Sequence, residues 1–257
     1  MNEVFIGTSG WTYDDWRGPF YPPDVPKKDW LRFYATRFPT AEINGSFYRT
    51  PSLEAVRAWR EQTPDDFVFA WKASKFITHW KRLTQKCDNS IALMETRLKL
   101  LGPKLGPVLF QLPPRFTADR ERLASFLRML PRRRRRYAFE FRHASWHAPP
   151  ILGLLRDQNI ALCISDHHDA PAPWEATADH IYWRGHGPGG AYKDNYSDDE
   201  LRKLAAAIRR WRRAQRTIHV YFDNDQKSAA PQDAARLMRM LSRRVGKGAE
   251  RAVPTRD

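Results

Sequence analysis

Cysteine is scarce in this sequence of 257 residues, which contains only Cys87 and Cys163. Two cysteines exclude a secreted disulfide framework and a zinc site built on four thiolates. No apolar run reaches the roughly 18 residues that a membrane-spanning helix needs. The first residues lack a basic stretch followed by an apolar one, so no signal peptide is expected. These absences predict a soluble, cytoplasmic protein that has no membrane partner and keeps both thiols reduced.

Acidic residues are also in short supply, because 29 Asp and Glu face 44 Lys and Arg, for a formal net charge of +15. A basic excess of this size is typical of proteins that bind nucleic acid or another polyanion. It is also typical of a solvated, arginine-rich surface. The arginines cluster in three segments, over residues 132–136, 209–216 and 236–244.

Short apolar runs, rich in β-branched and aromatic residues, recur along the chain. Their length and nearly continuous apolar character are typical of buried parallel strands. The pattern predicts eight strands, over residues 4–8, 41–44, 67–73, 107–112, 137–142, 160–165, 180–184 and 217–222.

Amphipathic segments with a helical spacing of apolar residues lie between these strands. Ser52 precedes one segment as a candidate N-cap, and Gly102 follows another as a stop signal. Helices are predicted over residues 53–61, 87–101, 119–130, 199–214 and 230–243.

Strand–helix alternation repeated eight times predicts an α/β fold, a single (β/α)8 barrel similar to a TIM barrel, over residues 1–245. Residues 246–257 are predicted to form a polar tail. The sixth unit is expected to be irregular, since Pro171 and Pro173 leave little room for a helix. A doubly wound open sheet shares the alternation, but the first turn, GTSG, lacks the glycine fingerprint of a dinucleotide fold.

Polar or ionisable residues follow nearly every predicted strand. The carboxyl ends of barrel strands meet at one face, where barrel enzymes carry out their chemistry. The residues at these ends are Ser9, Gly10, Trp11, Asn44, Ser46, Phe47, Tyr48, Arg49, Lys72, Ser74, Gln111, Pro113, Glu140, Arg142, His143, Asp166, His167, His168, Arg184, His186, Asp223, Asn224 and Asp225. The arginine segments 132–136 and 209–216 precede strands instead, so they are expected at the opposite face.

Four residues at the strand ends are candidates for catalysis by proton transfer: Lys72, Glu140, Asp166 and His186. Alternation directs Glu140 and Arg142 to the same face of strand five, either as reacting groups or as a buried ion pair. In the first case, replacing Glu140 by glutamine is expected to leave the fold nearly intact. Burial at a strand end lowers the pKa of a lysine, so Lys72 is either a base, an imine-forming amine or the counter-charge of an acid.

Aromatic, amide and basic side chains around these groups are the candidates for ligand binding. Aromatic rings stack on a planar or sugar-like ligand, and arginines and loop amides near a helix N-terminus hold an anion. An anion is expected near Arg184, Gly187 and Asn224. The complete binding set comprises Trp11, Asn44, Tyr48, Arg142, Arg184, Gly187 and Asn224.

Histidines and acids at the same face include residue types that bind metals. Asp166, His167, His168, His186 and Asp225 carry atoms that ligate metals. Because no HxxxH or HExxH spacing accompanies them, no metal site is predicted, and the cofactor stays unknown.

Several stretches resemble the YecE-like family, also called domain of unknown function 72. They are GTSGWTYDDWRGPFYP, EINGSFYRTPS, FVFAWKASKFITH, LGPVLFQLPPRF, YAFEFRHASW, CISD, YWRGHG and VYFDND, and they run in order from about residue 4 to residue 226. The resemblance implies a fold similar to a TIM barrel and implies no particular activity. The arginine enrichment, the GPGG after YWRGHG and the basic tail depart from the pattern.

The residues favour an enzyme that acts on a small polar or phosphorylated ligand by acid/base chemistry at the carboxyl ends of the strands. Hydrolysis, isomerisation and lyase chemistry all fit the same groups. A protein that binds nucleic acid or nucleotides through aromatic stacking and arginine–phosphate contacts is the alternative. A barrel without catalytic activity is the third reading, since fold alone does not define function.

Overall fold

The computed structural model describes residues 3–131 and 135–242. Eight parallel strands lie within them: β1 (Val4–Thr8), β2 (Thr40–Ile43), β3 (Val68–Lys72), β4 (Leu105–Gln111), β5 (Tyr137–Glu140), β6 (Ala161–Ser165), β7 (His180–Gly185) and β8 (Thr217–Phe222). Their order in the sheet is β1-β8-β7-β6-β5-β4-β3-β2, so successive strands of the chain are neighbours.

The two edge strands of this sheet, β1 and β2, come together just after the last residue of β1. Ser9 forms a parallel bridge with Glu42, and the Gly10 N–H donates to the Glu42 carbonyl at 2.8 Å. The result is a nearly closed eight-stranded barrel, which confirms the predicted TIM-barrel-like fold and excludes the open, doubly wound sheet.

Helices connect the strands around the outside. The α-helices of the described residues are α1 (Trp30–Ala35), α2 (Gly45–Tyr48), α3 (Leu53–Glu61), α4 (Asp88–Leu101), α5 (Arg120–Met129), α6 (Pro149–Asp157), α7 (Asp198–Arg213) and α8 (Ala229–Ser242). The predicted cap Ser52 accepts a hydrogen bond from the Ala55 N–H at 3.1 Å. Gly102, with φ +56°, ends α4 in the left-handed conformation that favours glycine.

The connection between β6 and β7 contains no helix along residues 166–179, as Pro171 and Pro173 predict. Its backbone returns to the sheet instead, because the Ala172 N–H donates to the Ser165 carbonyl at 2.7 Å. The Thr177 hydroxyl donates to the Ile160 carbonyl at 2.7 Å and holds the connection against the start of β6.

Side chains alternate between the barrel interior and the layer under the helices. On β5, Phe139 joins the outer core, whereas Ala138 joins the interior group with Leu109, Tyr182 and Tyr221. Because small residues and two tyrosines fill the middle of the barrel, the residue above Ala138 on the same face, Glu140, points towards the carboxyl end.

Both cysteines are free and buried. Cys163 lies in the middle of β6, as expected, and burial raises its pKa well above the usual value. Cys87 directly precedes α4, at the end of a 3₁₀ turn, Gln85–Cys87, where the sequence predicts the start of a helix outside the barrel; its side chain is fully buried, and burial raises its pKa to about 11. In the described residues, no helix combines the length and apolar character needed to cross a membrane.

Two of the arginine segments lead into the amino ends of strands, whereas the described part of the third, residues 236–242, lies on α8. Arg135 and Arg136 directly precede β5, and Arg216 directly precedes β8. Arg135 pairs with Glu95 at 2.8 Å, and the two side chains are mostly buried. Residues 132–134 of the first segment, and 243–257 with the predicted tail, lie outside the described residues.

Candidate active site

Arg184, the next-to-last residue of β7, is the centre of a charged network inside the carboxyl end of the barrel. Its fully buried guanidinium donates to Glu140 Oε2 at 2.7 Å, to Glu42 Oε1 at 2.9 Å and to Asp223 Oδ2 at 2.8 Å. The three carboxylates come from β5, β2 and the end of β8, respectively. One cation therefore connects three strands that are far apart in the sequence.

Glu140 shares its two oxygens between two arginines. Oε2 faces Arg184, and Oε1 accepts from Arg142 Nε in a short contact. Complete burial would raise the pKa of Glu140, but Arg142 and Arg184 hold it well below the usual value. The carboxylate is therefore ionised, and each of its oxygens accepts a hydrogen bond from an arginine. This is the arrangement of a buried ion pair.

His186 connects this network to Asp166. Its Nε2 lies 3.1 Å from an amino group of Arg142 and 3.2 Å from one of Arg184. A guanidinium can only donate, so Nε2 accepts and the proton resides on Nδ1, which donates to Asp166 Oδ1 at 3.1 Å. Desolvation lowers the pKa of His186 well below its usual value. The ring is neutral, and its only acceptor is already in use.

Asp166 lies at the edge of the opening of the barrel at the carboxyl ends of the strands, called the opening below. Three hydrogen-bond donors hold its carboxylate. They are the backbone N–H and the ring of His186, and the Tyr196 hydroxyl in a short contact. Burial nevertheless raises the pKa of Asp166 to about 6. Its side chain remains 33% exposed, so solvent or a ligand reaches it.

Lys72 ends β3 at the same opening, and it is only 4% exposed. Among the described residues, Nζ has one hydrogen-bond partner, Asn44 Oδ1 at 3.1 Å, and lies 4.5 Å from the centre of the Phe47 ring. Desolvation lowers its pKa to about 8, and Arg184 adds to that effect against the attraction of Asp223 and the two buried glutamates. Lys72 is thus an amine that is almost completely shielded from solvent and has no carboxylate in direct contact among the described residues.

Two acids that follow β8 also have raised pKa values. Burial raises the pKa of Asp223 in spite of Arg184 and Lys72, and its side chain is 6% exposed. Burial also raises the pKa of Asp225 to about 6, with a contribution from the charge of Asp223. The opening therefore holds one amine with a lowered pKa, Lys72, and carboxyl groups with raised pKa values, those of Asp166, Asp223 and Asp225.

Two predicted ligand-stacking residues lie away from the charged network. The ring of Trp11 packs edge-on against Trp59 of α3, 5.6 Å away, and against Phe69, so it belongs to the layer outside the barrel. Tyr48 is 65% exposed on the rim, in contact with Phe47. Both residues follow strands in the sequence. The alternation of side-chain directions ends with each strand, however, and does not extend to Trp11 or to Tyr48 on α2.

The donors of the predicted anion site near Arg184, Gly187 and Asn224 are engaged within the protein, except Arg184 Nε, which is buried without a hydrogen-bond partner among the described residues. The Gly187 N–H donates to the Tyr196 hydroxyl at 2.8 Å, and the Asn224 amide donates to Asp233 and to a backbone carbonyl. Arg184 is surrounded by carboxylates. The Gly187 and Asn224 contacts hold the β7 loop and α8 in place, and an anion bound there stays a prediction.

Of the residues considered for a metal, His167 and His168 group with Asp169 rather than with His186 or Asp225. One ligating atom from each of the three lies within 4.8 Å of the others. His168 Nδ1 lies 2.8 Å from the Gly190 carbonyl, so it donates and leaves Nε2 as the outward-facing nitrogen. His167 Nδ1 already accepts the Asp169 N–H at 3.2 Å.

Sequence reasoning overlooked Glu42 and the tyrosines of the network. Glu42 is completely buried on β2, where Tyr182 donates to Oε2 at 2.6 Å and Ser9 to Oε1 in a short contact. Tyr192, in the loop after β7, accepts from Arg142 at 3.0 Å. An acid in the middle of the apolar run at residues 40–43 was the one signal that pointed to Glu42.

Comparison with known proteins agrees with the barrel and its motifs. The chain is 32% identical over 155 residues to the UPF0759 protein YunF of Bacillus subtilis, which covers 58% of this chain and 54% of that protein. It is 33% identical over 146 residues to the UPF0759 protein YecE of Escherichia coli strain K12, which covers 56% and 50%, respectively. The aligned part thus spans about half the length of these curated relatives.

Solved structures extend the likeness along the chain. A DUF72 family protein from Thermotoga maritima has a TM-score of 0.85 and 27% identity, and the match covers 94% of this chain and 100% of that one. A DUF72 family protein from Enterococcus faecalis has the same fold, with a TM-score of 0.78 and 20% identity over 93% of this chain and 95% of that one. The family profile described as protein of unknown function DUF72 matches residues 5–256, and the chain belongs to that family.

Proposed function

We propose that this protein is an enzyme that acts on a small polar or phosphorylated ligand by proton transfer at the carboxyl end of the barrel. The observation that carries the proposal is the placement of Lys72 and Asp223, both almost completely buried, at the same opening. Each lies within the electrostatic range of the other, and desolvation moves both pKa values towards neutrality. Acid/base catalysis needs groups of this kind, whose pKa lies near the working pH.

Lys72 and Asp223 take complementary roles in this proposal. Lys72, protonated below its pKa of about 8, donates a proton or stabilises developing negative charge. Asp223, ionised above its raised pKa, accepts a second proton from the ligand, so that one group donates a proton while the other removes one. Asn44 orients the ammonium group through its 3.1 Å hydrogen bond.

The remaining predicted site residues position this pair. Arg184 donates to Asp223 at 2.8 Å and fixes its carboxylate, and Glu140 in turn holds Arg184 and Arg142. His186 joins both arginines to Asp166, which is the most exposed acid of this chain of contacts. Glu140 and His186 therefore act through other groups rather than on the ligand.

The proposal is tested by a substrate screen in which turnover is followed by proton NMR in deuterated buffer. The panel contains sugar phosphates, hydroxy acids and keto acids, so that hydrolysis, isomerisation and lyase reactions are all detected. Any turnover found should vanish in Lys72→Met and Asp223→Asn. It should persist in Lys203→Met, a matched change of an exposed lysine on α7. Turnover that survives both changes at the opening would show that the reaction takes place elsewhere.

A further inference from the structure

We propose that a rim of exposed aromatic and basic side chains beside the opening binds single-stranded nucleic acid. This aromatic rim consists of Tyr48 on α2 and of Lys75, Phe76, Trp80 and Lys81 in the loop after β3. It is separate from the arginine segments at the amino ends of the strands. The proposal does not depend on the acid/base function of Lys72 and Asp223.

Large apolar side chains are concentrated at this rim. Trp80 is 67% exposed, Tyr48 65% and Phe76 40%. In the described residues only Leu93 and Trp174 are exposed to a comparable degree, and Leu93 lies beside Phe76 along the same depression of about 320 Å³. Exposed aromatic rings in one cluster mark a surface that binds a partner.

The backbone of the rim is unusual in a way that orients these rings. Residues Phe76–Trp80 form a π-helical turn, and Arg82 and Leu83 follow with φ of +44° and +60°. Two consecutive left-handed residues other than glycine are costly, and both π-turns and such strain concentrate at functional sites. The turn exposes Phe76 and Trp80 while Ile77 and Thr78 are buried.

The charge of this surface has one sign. Between Asp66 and Asp88 the sequence contains five basic residues and no acidic one, and the segment 43–53 contains Arg49 alone. Lys75 Nζ lies 5.4 Å from the Tyr48 ring centre and 5.8 Å from that of Trp80. Ammonium groups interleaved with exposed aromatic side chains match the alternation of phosphates and unpaired bases in a single strand.

The rim leads directly to the opening of the barrel. The Tyr48 and His79 rings each pack edge-on against Phe47 at 5.1 Å. Phe47 in turn lies beneath Lys72 at 4.5 Å. A strand stacked on Tyr48 and Trp80 would therefore pass the opening. Duplex DNA, whose bases are covered by their neighbours, offers no free faces to these rings.

Fluorescence anisotropy with a labelled oligothymidylate of about 12 nucleotides tests the proposal, since single-strand sites span about 4–16 nucleotides. We expect the full-length protein to bind this strand at least tenfold more tightly than a duplex of equal length. Trp80→Ala and Tyr48→Ala should each weaken binding about tenfold or more. Trp174→Ala, an exposed tryptophan packed on Trp211 elsewhere, is the matched control and should change nothing.

Charge alone is separated from stacking by a second pair of variants. Lys75→Gln should weaken binding and flatten its salt dependence, whereas Arg212→Gln on the outer face of α7 should do neither. Equal losses in Trp80→Ala and Trp174→Ala, tighter binding of the duplex, or no binding at low salt would each overturn the proposal. It is also overturned if Trp80 is needed for binding to phosphatidylserine vesicles but not for binding to the oligonucleotide.

Discussion

Replacing Lys72 by methionine removes the ammonium group that the structure leaves without a direct counter-ion. Methionine loses the Nζ contact with the Phe47 ring, but it keeps an unbranched apolar stem that is only one heavy atom shorter. A change of the pKa from 10.5 to about 8 corresponds to a cost of about 3 kcal/mol for the charged form in the folded state, at about 1.36 kcal/mol per unit. We therefore expect Lys72→Met to stabilise the protein near pH 7 by roughly 1–3 kcal/mol.

The dependence of this gain on pH follows from the direction of the pKa change. Because the folded-state pKa of Lys72 is lowered, its destabilising contribution is absent above the unfolded-state pKa of 10.5, grows as the pH falls towards about 8 and is complete below that value. The difference between variant and wild type should consequently be largest at neutral pH and should shrink between pH 8 and the unfolded value of 10.5.

Guanidinium unfolding followed by tryptophan fluorescence measures this difference at about pH 7 and about pH 10. Lys75→Met, on the neighbouring exposed loop, controls for the loss of a lysine and should change stability by about 0.5 kcal/mol or less. A Lys72→Met variant that is less stable than wild type at neutral pH would refute the reasoning. In that case, the attraction of Asp223, Glu42 and Glu140 outweighs desolvation, and Lys72 is a fully charged ion-pair partner.

Three further predictions concern the network, the reaction and the thiols. Glu140→Gln is now expected to lower the unfolding free energy by about 3–5 kcal/mol, because it leaves two buried arginines short of a charge; denaturant titration at neutral pH that finds wild-type stability would assign Glu140 to catalysis instead. For any substrate found, kcat/KM should fall below the raised pKa of Asp223 and above the Lys72 pKa of about 8, and a profile that stays flat through pH 8 would remove Lys72 from the reaction. Cys87 and Cys163 are buried with raised pKa values, so a thiol reagent should modify both only after denaturant is added, and one fast equivalent in the native protein would contradict their burial.

The barrel could be predicted from the sequence because local physics specifies its parts. Buried parallel strands must be continuously apolar, and helices on a barrel must carry one apolar stripe, so both patterns are visible without contacts. Alternation along β5 also placed Glu140 on the inner face, opposite in direction to Phe139. The missing helix of the sixth unit followed in the same way from Pro171 and Pro173.

Interactions between distant strands could not be read from these patterns. Glu42 meets Arg184 only because β2 and β7 face each other across the barrel, 142 residues apart in sequence. No periodicity links the two positions. The desolvation of Lys72 likewise depends on what the whole opening excludes from water, not on its neighbours in the chain.

Loop residues after the strands show the same division. The sequence determined that Trp11, Gly187 and Asn224 follow strand ends, but a strand's alternation stops where its hydrogen bonds stop. The structure turns Trp11 outward to Trp59, and it uses the Gly187 N–H and the Asn224 amide to hold Tyr196 and Asp233. The composition and spacing of the chain therefore determined the barrel and the face that carries the polar groups. Only tertiary packing decided which of those groups form ion pairs with one another, as Arg184 does with three carboxylates, and which, like Lys72, have no ion-pair partner in direct contact among the described residues.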